Sequence, residues 1–223
     1  MLSELLKIQP GVTAVIGGGG KTTLLRTLGE ELSNAGASVL LCTTTKMYPY
    51  QDVHFVQTEK EIHDARKRHL LLCAGTLLPE TGKITAPQVP FSVLIALFDY
   101  ILVEADGSAQ LPLKAHGAHE PVVPPEANQV ILVLGASGMD RPIREAAHRP
   151  ELYAQRAGVA AEDSATPERI AKVVNGEKVH TRVLINQAET PEMQEKARKL
   201  GALLNCSTVI GSLQRGEYML CSY

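Results

Sequence analysis

The segment Gly17-Gly18-Gly19-Gly20-Lys21-Thr22-Thr23 assembles residue types that handle phosphate. Glycines expose consecutive backbone N–H groups, and a helix amino terminus after them adds positive potential, so an anion can enter where side chains are missing. Lys21 would neutralise the terminal phosphates of a nucleoside triphosphate, ATP or GTP, and the Thr22 hydroxyl would sit on Mg²⁺. The standard loop has a glycine five residues before Gly20, where this chain has Val15. The spacing here is G-x-x-G-K-T, two residues tighter. The rival reading is a plain turn from strand to helix, for which four consecutive glycines are a costly choice because glycine destabilises both elements.

Two carboxylates follow in Tyr100-Ile-Leu-Val-Glu104-Ala105-Asp106-Gly107. At the end of a core strand such charges are expensive unless compensated, and a Mg²⁺ ion carried by phosphates compensates them. Glu104 and Asp106 are therefore the candidate metal ligands beside Thr22, and with Lys21 the candidate catalytic groups; carboxylates that only cap loops are the alternative. Glu104 and Gly107 form an E-x-x-G pattern similar to that of the metallochaperone branch of GTPases, where the glycine amide faces the γ-phosphate. The G-x-x-G-K-T spacing in turn resembles the loop of the Mur ligase and folylpolyglutamate synthetase group.

Three further segments have functional residue types. Thr43-Thr44-Thr45-Lys46 offers hydroxyls and an ammonium, Thr44 and Lys46 in particular, to metal, γ-phosphate or substrate, although a threonine-rich strand end is also plain β-propensity. Asn186-Gln187-Ala188-Glu189 stands where a G domain has N-K-x-D, with Asn186 and Glu189 able to meet a base edge; as a rival, Asn186 caps a loop and Glu189 opens the next helix. Lysine is replaced by Gln187 and aspartate by the longer Glu189, so ATP and GTP both stay open. His116, His119 and Glu120 carry ligand types that suit zinc, but the H-x-x-H spacing amid glycine and prolines favours ordinary loop histidines.

The elements that must position these residues alternate between short β-rich apolar runs and amphipathic helical patterns, which predicts an α/β fold: P-loop NTPase-like, a mostly parallel sheet with helices on both faces, three layers α/β/α. Strands are expected at 12–17, 38–43, 69–74, 100–105, 130–134, 182–186 and 209–213. Helices are expected after Lys21 as far as Gly36, at 58–67, as a buried helix at 88–98, as two helices within 149–174 around Pro167, and at 191–204. A small hairpin insertion falls near 76–85, and 108–125 reads as a long ordered loop. In open α/β sheets ligands lie beyond the carboxyl ends of strands, which is where each candidate segment stands. Without repeats or composition breaks, residues 1–223 read as one nucleotide-binding domain.

Composition excludes several classes. With 22 basic against 24 acidic residues, no basic block and no tryptophan, nucleic acid is not an expected partner. The longest apolar stretch, Phe91 to Phe98, is too short to span a bilayer, so no membrane association is expected. The amino terminus lacks a secretory pattern and the four cysteines form no C-x-x-C pair, which points to the cytoplasm and reduced thiols.

Taken together, Val15 to Thr23, Thr43 to Lys46, Tyr100 to Ser108, Pro112 to His116, His119-Glu-Pro121, His148-Arg-Pro-Glu151 and Leu184 to Ala188 resemble the YqeC-type accessory family of selenium-dependent hydroxylases. The resemblance implies a nucleotide-binding protein associated with selenium-dependent molybdenum hydroxylases, with such a hydroxylase or its cofactor as partner. The expected function is a Mg²⁺-dependent NTPase that serves hydroxylase maturation. An ATP-dependent small-molecule kinase or ligase, and a nucleotide-gated scaffold with negligible turnover, are the alternatives.

Overall fold

The structure, a computed structural model, describes residues 1–221. They fall into two compact units. The first comprises Met1–Val15, Thr22–Asp106 and Val122–Gln129; the second comprises Ile16–Lys21, Gly107–Pro121 and the chain from Val130 onward.

In the first unit the elements run α1 (Leu2–Leu5), β1 (Gly11–Gly17, whose last two residues belong to the second unit), α2 (Lys21–Asn34, from Thr22 in this unit), β2 (Val39–Thr43) and β3 (His54–Val56). There follow α3 (Glu59–Ala65), β4 (Leu71–Ala74), the hairpin β5 (Thr76–Leu78) and β6 (Lys83–Thr85), α4 (Phe91–Leu97) and β7 (Tyr100–Glu104). Strands stand in the order β1-β7-β2-β4-β3, all parallel. Parallel strands need both faces covered, and every residue of β2 is buried. Leu40 packs with Ile62 of α3 and Leu94 of α4 on one face. On the other, Leu41 lies against Gly29 of α2, whose Leu24, Leu25 and Leu28 are fully buried. Each such side chain contributes about 1.5–3 kcal/mol by leaving water. The register sets Glu104 opposite Val15 on β1 and Thr43 on β2, which delivers the carboxylate to the strand ends.

In the second unit the elements run β8 (Leu113–Lys114), β9 (Ala127–Gly135, from Val130 in this unit), a 3₁₀ turn at Ala136–Gly138, α5 (Ile143–Ala146), β10 (Ala147–His148) and α6 (Pro150–Ala157). Then come α7 (Pro167–Gly176), β11 (Arg182–Asn186), α8 (Pro191–Leu203), β12 (Ser207–Ser212) and β13 (Glu217–Leu220). Strands β9, β11 and β12 are parallel neighbours in that order, and β13 closes the edge antiparallel to β12. Pro167 and Pro191 open α7 and α8 behind the capping hydroxyls of Thr166 and Thr190.

The α/β class with a mostly parallel sheet is therefore what the structure has. The helix expected at 88–98 is shorter, because Pro90 stands at its cap, and it is not a buried helix: Leu94 is its one fully covered residue and Ile95 is 40% exposed. The 108–125 stretch is irregular except for β8, which pairs with β10. Burial pushes the Cys73 thiol up to about 11 and Cys42 higher still, so both are inert thiols of the core. Among the described residues no helix is long and apolar enough to cross a membrane.

Candidate functional site

In the first unit the end of β7 gathers the acidic candidates. Glu104, 7% exposed, accepts a hydrogen bond at Oε2 from Thr22 Oγ1 at 2.7 Å. Its backbone carbonyl accepts from Thr43 Oγ1 at 2.7 Å and from the Thr44 N–H at 3.1 Å. Within the threonine run Thr43 thus grips the acidic strand, whereas the Thr44 hydroxyl donates to the Val122 carbonyl at 2.6 Å. Thr23 and Lys46 are exposed, and Asp106 is fully buried two residues past Glu104.

Tyr50, which sequence reasoning passed over, donates from its hydroxyl to the Thr22 carbonyl at 2.9 Å. Burial, with the Glu104 charge adding to it, pushes the Tyr50 phenol far up, so it stays a neutral donor. Arg26 of α2 forks onto Asp52 and secures the segment carrying Tyr50. A tyrosine in an aperiodic stretch between β2 and β3 gives no sequence signal of this role.

In the second unit the loop Gly17–Lys21 has a shape only glycine can take. Gly19 and Gly20 stand at φ +80° and +128°, and a Cβ on Gly18 would come within 2.4 Å of the Leu111 carbonyl oxygen. The Gly18 N–H donates to the Val133 carbonyl at 2.9 Å. Lys21, 5% exposed, donates from Nζ to the Gly17 carbonyl at 2.7 Å and to Ser108 Oγ at 3.2 Å. Ser108 is a second residue missed from sequence, since a serine after Gly107 resembles any turn residue. Lys114 donates to the Gly107 carbonyl and pairs with Glu120 at 3.1 Å.

Asn186 ends β11 and is buried. Its Nδ2 donates to the Gly19 carbonyl at 2.7 Å, and its Oδ1 accepts the Leu213 N–H at 2.9 Å. Gln187 follows at φ +63° and accepts at Oε1 from Ser137 Oγ at 2.6 Å. Glu189 accepts from Ser212 Oγ at 3.3 Å, and its carbonyl takes Arg215 Nη1 at 2.8 Å. The structure therefore brings Asn186 onto the glycine loop and turns Glu189 toward Ser212. The zinc-type cluster is not assembled: the His116 ring faces Glu177, His119 is exposed, and no three His, Cys, Asp or Glu side chains among the described residues are grouped to hold a metal.

Residues 13–151, more than half of the chain, match the YqeC protein family. The chain belongs to this family. YqeC of Escherichia coli (strain K12) is 33% identical over 159 residues, which are 68% of this chain and 62% of the length of that relative. The YqeC segment contains the glycine loop, the threonine run, the acidic strand end and His116 to Glu120, while Asn186 and Glu189 lie beyond it. Among solved structures, the hydrogenase maturation factor HypB from Archaeoglobus fulgidus aligns at a TM-score of 0.47 and 12% identity, over 97% of this chain and 86% of its own. HypB from Helicobacter pylori in complex with nickel aligns at 0.43 and 12% identity, over 95% and 83%. At those scores neither likeness bears on the chemistry of the site.

Proposed function

We propose that the chain binds ATP or GTP as a magnesium complex and hydrolyses it. The observation that supports this most is the 2.7 Å hydrogen bond from Thr22 Oγ1 to Glu104 Oε2, directly after the lysine of a glycine loop. A hydroxyl and a carboxylate held this close are the hard oxygen donors that magnesium takes, so the residues fit the ion. Thr22 would hold it together with Glu104 or Asp106. The ion, when bound, supplies positive charge against the phosphates.

The chain's own groups do the rest. N–H groups of the Gly17 to Gly20 loop other than Gly18, whose N–H is held by the Val133 carbonyl, receive the phosphates, and Lys21 balances the charge that develops on the transferred group. The carboxylate of Glu104 or Asp106 that is not on the metal orients the attacking water. Thr44, Lys46 and the Gly107 amide answer to the terminal phosphate. Asn186 and Glu189 remain the groups proposed to meet the base; the Asn186 carboxamide keeps one proton and one lone pair beyond its two hydrogen bonds. The cellular role proposed, maturation of a selenium-dependent molybdenum hydroxylase in the cytoplasm, rests on the family resemblance of the motifs and on the composition.

Phosphate release from ATP and from GTP, with magnesium and with EDTA, tests the reading. Magnesium-dependent release that falls at least about tenfold in Glu104→Gln supports it, since the amide keeps the shape and removes the charge the cation needs. Release equal in the parent and in Glu104→Gln would sink it.

A further inference from the structure

The second unit holds a cavity of about 420 Å³ that none of the nucleotide candidates line. His116, Glu120, Arg156, Lys172, Glu177 and Lys178 border it. Both carboxylates have cationic partners inside the protein. Glu177 Oε2 meets His116 Nδ1 at 2.5 Å, while its Oε1 accepts the His116 N–H at 3.0 Å and is paired with Arg156 Nη1. Glu120 Oε2 lies 3.1 Å from Lys114 Nζ and 3.0 Å from Arg149 Nη2. Burial alone would favour neutral acids, and the hydrogen bonds and charges of these partners outweigh it, holding both carboxyls below their ordinary range.

The lysines are what this accounting leaves over. Lys172 Nζ donates to the Ala157 carbonyl at 3.0 Å, and among the described residues neither it nor Lys178 has an ion-pair partner. Of the residues that border the cavity, three cations (Arg156, Lys172, Lys178) stand against the two carboxylates, in a chain whose net charge is -2. Gly176 ends α7 beside the cavity, and the carbonyl end of a helix is negative, but a partial charge of about half a unit does not cancel that surplus.

We infer that this cavity is a binding site for a small molecule carrying an oxyanion, a phosphate or carboxylate group, whose charge Lys172 and Lys178 balance beside the His116–Glu177 pair. A concave charged site of this volume suits a small metabolite. The inference stands apart from the nucleotide reading, because no residue of the glycine loop or acidic strand end takes part.

The test follows the His116 imidazole by NMR in the full chain, assigned with His116→Gln, at constant ionic strength in chloride, with inorganic phosphate and citrate as separate probes. The expected result is a saturable shift of the His116 resonances and a rise in its titration midpoint, since a nearby anion favours imidazolium. Lys178→Glu, at the rim, should weaken that binding about tenfold or more, and Lys172→Met should weaken it in the same direction. A response to phosphate alone identifies a phosphoryl ligand and one to citrate alone a carboxylate; either supports the site. No saturable response to either probe, an unchanged affinity in a folded Lys178→Glu protein, or loss of the response in Lys21→Ala would overturn it, the last by assigning the anion to the glycine loop.

Discussion

Asn186 donates its side-chain amide to the Gly19 carbonyl at 2.7 Å across 167 positions of the chain. Its oxygen accepts from Leu213, so one carboxamide ties the glycine loop to the exit of β12. Removing it leaves two buried backbone groups without partners, which costs about 1–3 kcal/mol each before relaxation. Asn186→Ala should therefore lower thermal stability, and it should weaken ATP and GTP by a similar factor if the residue acts by holding the loop. Thermal melts and competition binding read the two effects; an unaltered melting temperature would remove the clamp.

Thr22→Val keeps the shape of the side chain and deletes the hydroxyl that Glu104 accepts. A partly buried carboxylate oxygen then loses its donor, and the proposed magnesium site loses a ligand. The expected outcome is magnesium-dependent turnover reduced about tenfold or more, a barrier increase of about 1.4 kcal/mol, with nucleotide affinity in EDTA little changed. Metal titrations of parent and variant check this. Equal magnesium dependence in both would show the hydroxyl to be a strand-end contact only.

Glu189 is the residue through which the proposed reading of the base can be tested. If it meets the guanine edge, Glu189→Ala should lose about 1–3 kcal/mol of preference for GTP over ATP and Glu189→Asp should hold or improve it. Its present bond to Ser212 would have to yield to do so. A GTP to ATP ratio unmoved by Glu189→Ala takes the residue out of the nucleotide site.

Much of this was legible because the informative residues are local. A strand, four glycines, Lys21 and Thr22 occupy one stretch, and the continuous apolar run Tyr100 to Val103 places Glu104 at a strand end whatever the rest of the chain does. Contacts between distant segments were not legible: Ser108 ends the acidic motif, but nothing local says that it reaches Lys21 from 87 positions away. In the threonine run, pairing of Thr43 with Glu104 across β2 and β7 decides which hydroxyl faces the acidic strand, and that depends on register. Strands β3 and β13 and helices α1 and α5 have only three or four residues each, too few for hydrophobic periodicity to identify.

Two groups of the second unit set an acid limit on stability. Burial lowers the His180 imidazole below its ordinary 6.5, with Glu177 opposing, so the unfolded chain takes up the proton first. Glu177 is held below 4.5 against burial by His116 and Arg156. Both folded-state values are depressed, so each contribution is present above the unfolded value and is lost as pH falls through the folded one. Melting temperature should decline on acidification below about pH 6.5 and further below about pH 4.5. His180→Phe should flatten the first decline and leave the second.

The most direct measurement is calorimetric titration of the parent and Lys21→Ala with ATP and with GTP in the presence of magnesium. Lys21 is a buried ammonium at the mouth of the loop, and a charged hydrogen bond to phosphate is worth about 1.5–3 kcal/mol. The account predicts that the parent binds at least one of the two triphosphates and that Lys21→Ala, still folded, loses about tenfold or more of that affinity. A parent that binds neither, or a folded Lys21→Ala protein that binds as tightly as the parent, would contradict it.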